Sequence, residues 1–178
     1  MTKKETVELI TYIGSNYESI LNKTKEQLEM MVELWYDCLK DLDYEIVKQA
    51  LKKTILESKY MPTIAEIRQN AIQMITPRRK TGIEAWSDAY KLICRGTTVT
   101  QKEFDNLEPN IKKFFGSVSQ LKDYATSTET NMDVVRSNFL KSYDILEQRN
   151  KEIDLMLPET KARLEQLQNS FVKQLAEG

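Results

Sequence analysis

Apolar residues recur at intervals of three and four along most of this chain, the spacing that gathers them on one face of an α-helix. Val7, Ile10 and Ile13 mark a first helix over about residues 3–17, with Gly14 weakening its end. The strongest stripe is Leu28, Met31, Val32, Trp35, Cys38, Leu39 and Leu42, in which Trp35 and Leu39 are expected in the core. Tyr44, Ile46, Val47, Ala50, Leu51 and Ile55 define a third helix, capped by Asp43. Ile64, Ile67, Ala71, Ile72 and Ile75 define a fourth, with Glu66 and Arg68 on its outward side. Pro62 biases Met61 away from helical dihedrals, so the third helix should end near Ser58. None of these four helices could bury its stripe alone, which predicts a small domain over residues 1–76.

Start signals sharpen the pattern. Thr2 with Glu5, Thr24 with Gln27, Thr63 with Glu66, Thr81 with Glu84 and Thr100 with Glu103 are five capping boxes. In each, Thr and the acid or amide three residues on satisfy each other's orphaned backbone N–H.

Residues 77–82, Pro77-Arg78-Arg79-Lys80-Thr81-Gly82, read as a basic linker. A second helical domain over 83–157 follows. Its first helix carries Ile83, Trp86, Tyr90, Ile93 and Cys94, and is broken by Gly96-Thr97-Thr98-Val99. Shorter helical runs hold Phe104 and Leu107, then Ile111, Phe114 and Phe115 after Pro109. Ala125 to Asn131 is a polar loop. A long helix, about 132–155, turns Val135, Phe139, Tyr143 and Leu146 inward. Pro158 opens a last amphipathic helix within 158–178, whose stripe of Leu164, Leu167, Phe171 and Leu175 is expected to be buried against something. The fold class is all-α: two small helical domains or one elongated bundle, with a long C-terminal helical region.

Composition mostly excludes chemistry. The chain has no His, which removes His-based acid–base catalysis, Ser-His triads and His metal sites. Five scattered Gly provide neither a P-loop nor a dinucleotide fingerprint. Cys38 and Cys94 have no metal or disulfide spacing and read as reduced, partly buried thiols. Asp41 and Asp43 are explained by a helix end and a following N-cap rather than by magnesium. No catalytic residue, cofactor or metal is therefore assigned, and a non-enzymatic role is expected.

Charge is balanced, with 26 basic and 27 acidic residues and a net charge of −1. Strong intrinsic nucleic-acid binding is not expected. Only Arg78, Arg79 and Lys80 cluster, enough for a weak, salt-sensitive DNA contact. No uncharged run approaches the roughly 18 residues of a membrane span, and no apolar signal core follows the first residues. A soluble cytoplasmic protein without membrane contact is the expectation.

One pair of motifs goes further. Trp35-Tyr36-x-x-Leu39-x-Asp41-x-Asp43-Tyr44, followed after one helix by Tyr60-Met61-Pro62-Thr63-Ile64-Ala65-Glu66-Ile67-Arg68, resembles the N-terminal domain of the phage replicative-helicase loader/inhibitor family. Ala85-Trp86, Arg136-x-x-Phe139-x-x-x-Tyr143 and Leu157-Pro158 are similar, more loosely, to the companion region of longer phage replication proteins. The sequence departs at Met61, where an aromatic is commoner, and shows no motif over 96–131.

The resemblance implies a phage DNA-replication accessory protein that binds a hexameric DnaB-type helicase in the bacterial host cell. It would restrain that helicase and help deliver it to an origin-bound phage replication protein. Tyr60, Glu66 and Arg68, with the stripe of Leu164, Leu167, Phe171 and Leu175, are the candidate partner-binding residues. Two other classes share these properties: an adaptor that sequesters the host helicase loader, and a helical DNA-binding regulator. A homo-oligomer is a further way to cover the last helix.

Overall fold

In the computed structural model, which describes residues 1–127 and 131–176 and the side chains of 1–127 and 131–174, the five threonine boxes all form. They open α1 (Lys3–Gly14), α3 (Lys25–Leu39), α5 (Ile64–Ile75), α6 (Gly82–Ile93) and α7 (Gln101–Asp105). In the α5 box the Thr63 N–H donates to Glu66 Oε2 at 2.8 Å, and the Glu66 N–H donates back to Thr63 Oγ1 at 3.2 Å. Asp43 caps α4 (Tyr44–Glu57) by accepting from the N–H groups of Glu45 and Ile46. As Pro62 requires, α4 stops at Glu57 and Ser58 is extended.

Two short helices are not visible in the periodicity. The first helix ends at Gly14 rather than near 17, and α2 (Glu18–Leu21) follows, too short to show a repeat but burying Ile20. Beyond α8 (Pro109–Phe115), Gly116 takes φ +70° and turns the chain into α9 (Val118–Thr126), which contributes one buried residue, Leu121. A single 3₁₀ turn, Gly96–Thr98, breaks α6 from α7. The long α10 (Met132–Leu155) and α11 (Pro158–Ala176) complete an all-α fold, with no strand among the described residues.

The chain divides into two compact units, Met1–Pro77 with Ile153–Gly178, and Arg78–Glu152. In the first, α1 packs on α3, α3 on α5 and α4 on α5, around a core that includes Ile13, Trp35, Leu39, Val47, Leu51 and Ile67. In the second, Trp86, Phe115, Phe139 and Tyr143 form the centre of a largely aromatic core. Phe139 lies 5.3 Å from the Trp86 ring, 5.1 Å from Phe114 and 5.7 Å from Tyr143, distances at which tilted and edge-on rings attract.

Several outward and inward expectations are corrected. Arg68, expected at the surface, is buried, because the loop before α4 and the end of α10 close over it with partners for its whole guanidinium. Ile75, Ile83 and Tyr90, expected inward, are exposed; Ile75 and Ile83 sit in terminal helical turns, where the neighbouring helices no longer reach. Cys38 is half-buried as expected, but Cys94, at the end of α6, is exposed. The α11 stripe, expected to be buried, is exposed at Leu164, Leu167 and Phe171. Leu175 and residues 128–130 of the polar loop lie outside the described side chains. No described helix is long and apolar enough to cross a membrane.

Candidate partner-binding surface

The Pro62 corner and the Thr63 cap fix the start of α5, and the helical repeat then turns Ile67 and Ala71 into the core. Arg68 follows Ile67 by one residue and so falls on the flank of that buried face. A guanidinium there keeps its charge and needs a partner for each of its five N–H groups. All five are satisfied: Nη1 and Nη2 donate to Asp41 Oδ1 and Oδ2 at 2.7 Å each, and Nη1 also donates to Cys38 O at 2.8 Å. Nε donates to Leu155 O at 2.8 Å and Nη2 to Met156 O at 3.2 Å. Arg68 is only 7% exposed.

Burial alone would push the Asp41 carboxyl up. The Arg68 fork outweighs it and holds Asp41 below the ordinary carboxylate value. In the sequence Asp41 is explained as a helix end. No local signal pairs it with Arg68, since the two are 27 positions apart.

The other candidates fall in separate places. Glu66 is committed to its own helix, accepting from the Thr63 N–H and hydroxyl, which hold its carboxyl below the usual range. Tyr60 is 83% exposed on the α4–α5 turn, with only its backbone N–H held, by Ser58 Oγ. Leu56, one turn earlier and 87% exposed, escapes a reading by periodicity because its position continues no stripe. Together Leu56 and Tyr60 make the turn apolar at its surface.

On α11, Leu164, Leu167 and Phe171 are 38%, 50% and 67% exposed, and Val172 beside them is exposed too. Near its start, Glu159 pairs with Lys40 at 3.2 Å. That ion pair is at the surface and contributes little on its own.

The cationic run is engaged within its own unit. Arg78 pairs with Glu84 at 2.8 Å, Arg79 lies 3.5 Å from Glu147, and Lys80 pairs with Asp88 at 2.6 Å. Phosphates would compete with carboxylates already in place. In the same unit, Lys113, Phe114, Ser142, Ile145 and Leu146 line an open cleft of about 390 Å³. No group of three or more potential metal-ligating side chains occurs among the described residues.

Comparison with known proteins is confined to the first unit. No curated protein and no solved structure matches the chain significantly. One family model does match, over residues 1–68, from α1 through the Thr63 corner to Arg68, and it describes an N-terminal domain. The family is that of the phage helicase loader/inhibitor, and residues 1–68 of this chain belong to it as its N-terminal domain.

Proposed function

We propose that the protein is a phage DNA-replication accessory factor that binds a hexameric DnaB-type helicase, restrains it and helps deliver it to the phage origin. The observation that carries this reading is the family match over residues 1–68. A chain without a nucleotide motif of its own can act on such a motor only by binding one of its conformations better than another. Restraint and delivery are then one thermodynamic act: the helicase is held in the conformation the protein prefers until another partner offers more.

Two surfaces are available for that contact, the Leu56–Tyr60 turn and the α11 stripe. Full burial of Leu164, Leu167 and Phe171 would contribute about 4–9 kcal/mol gross. Association itself costs roughly 4–15 kcal/mol. One stripe is therefore too little for a tight complex, and the reading requires a second surface on the N-terminal domain. Arg68 is not part of the contact, since its donors are all in use inside the protein. The pairing of Arg78, Arg79 and Lys80 with carboxylates supports a protein partner over DNA.

The test is to mix the purified chain with the host and the phage DnaB-type helicases and follow co-elution and ATP hydrolysis. A co-eluting complex with altered helicase turnover is expected. Capture of the host's helicase loader in place of the helicase would replace this reading with the sequestering one. Tight, salt-resistant DNA binding without either protein would replace it with a DNA-binding one.

A further inference from the structure

We propose that Arg68 is a positioning residue, which together with Asp41 clasps the end of α10 and so fixes the point from which α11 leaves the N-terminal domain. The last carbonyls of any α-helix lack intrahelical partners. At the end of α10, Leu155 O and Met156 O receive the Arg68 Nε and Nη2 protons, so the guanidinium acts as a C-terminal cap supplied from another helix. Its positive charge lies where the α10 dipole is negative.

The clasp reaches α11 through almost no free chain. Only Met156 and Leu157 separate α10 from α11, and Pro158, at the first position of α11, has a fixed φ. Pinning the Leu155 and Met156 carbonyls therefore constrains where α11 begins. Beyond this junction, every described side chain from Glu159 to Gln174 is exposed, so little else in the segment can do the pinning.

The five donors are also divided in a telling way. Three bonds stay within residues 38–68, to Cys38 O and the two Asp41 oxygens, and two cross to the C-terminal segment. When the crossing bonds break, Asp41 still holds the guanidinium. The N-terminal domain can thus release the end of α10 without losing its own buried ion pair, and a segment that opens in this way exchanges its amides before the domain unfolds.

Both acceptors lie outside residues 1–68, the stretch the family match covers, so the clasp connects the matched domain to a segment the match does not describe. The proposed helicase role enters only in what α11 is presented to. A presented helix loses less ordering entropy on binding than a loose one. The clasp itself is tested without any partner.

The experiment is amide hydrogen exchange on the full chain, native and Arg68→Lys. Lysine keeps the charge but offers one nitrogen, which cannot serve Asp41, Cys38 O and both α10 carbonyls at once. Exchange of the amides of 153–157 should rise at least tenfold, while the core amides of α4 and α5 change less than threefold. Unchanged exchange at 153–157, or equal acceleration throughout residues 1–77, would overturn the proposal.

If Arg68→Lys fails to fold, the native chain still decides. Amides 153–157 should exchange through an opening of lower free energy than residues 47–51, and exchange of both only through global unfolding would refute the clasp. Helicase affinity of the native chain reports on the functional reading alone. With a native complex in hand, Arg68→Lys should bind several-fold more weakly, and equal affinity would refute a positioning role.

Discussion

Asp41 and Arg68 meet as a flat two-point fork, each carboxylate oxygen 2.7 Å from its own guanidinium nitrogen, although 27 positions separate them in sequence. Breaking such a pair from one side costs more than replacing both partners, because a charge is left buried without its counterion. Asp41→Ala should therefore lower stability by about 3 kcal/mol. The Asp41→Ala, Arg68→Met double variant should lose less than the sum of its singles. Urea midpoints at equal slope check both, and strict additivity would mean that the fork contributes no coupling.

Acid should unfold the protein in a defined direction. The Arg68 fork holds Asp41 low despite its burial. Thr backbone N–H groups do the same for Glu5, Glu66 and Glu84, while the Arg95 guanidinium, helped by Thr100, holds Glu103 down to about 2. Groups depressed in the folded state stabilise it fully above their unfolded values, near 4, and lose that contribution as pH falls through the folded ones. With no His to titrate, the urea midpoint should be flat between about pH 6 and 8 and fall below about pH 5. A midpoint that rose on acidification would contradict these assignments.

Phe139 is fully buried at the centre of the aromatic core of the second unit, in contact with Trp86. Phe139→Ala should cost about 3–5 kcal/mol. Each unit has one tryptophan, Trp35 in the first and Trp86 in the second, so replacing either by Phe isolates the other's fluorescence. In the Phe139→Ala variant the Trp86 signal should shift its transition, and a larger shift at Trp35 would show that the core is wrongly placed.

The Tyr143 hydroxyl lies 2.8 Å from Glu108 Oε1 and 3.1 Å from Lys80 O, while Glu108 Oε2 is buried without a hydrogen-bond partner. Tyr143→Phe would leave both carboxylate oxygens unpaired and should cost about 1–3 kcal/mol. Burial and the neighbouring Glu108 raise the Tyr143 hydroxyl above its ordinary value, so it should be the last of the eight tyrosines to ionise in an alkaline titration. Its stabilising contribution is full below about pH 10 and is lost as pH rises further.

Local signals in the sequence go a long way. The five threonine boxes, the Asp43 cap and the Pro62 stop act within four residues, so they can be read before any packing is known. Trp35, Leu39, Phe139 and Tyr143 lie where their stripes place them. What escapes depends on distance or brevity. The four residues of α2 and the nine of α9 offer too few turns for periodicity to register. Arg68 reads as a surface residue until Asp41 and the end of α10 arrive from elsewhere in the chain. The α11 stripe shows the converse: amphipathic spacing says that a face wants cover, not that this chain supplies it.

The most direct measurement of the central claim is the affinity of the full chain for a purified DnaB-type helicase hexamer, beside a Leu167→Glu, Phe171→Glu variant and a chain lacking 159–178. Because these side chains are exposed, both altered proteins should keep the native circular dichroism per helical residue. The account predicts a complex for the native chain, binding at least tenfold weaker for both altered proteins, and residual affinity from the N-terminal domain. No complex between the native chain and either the host or the phage helicase at micromolar concentrations would contradict it.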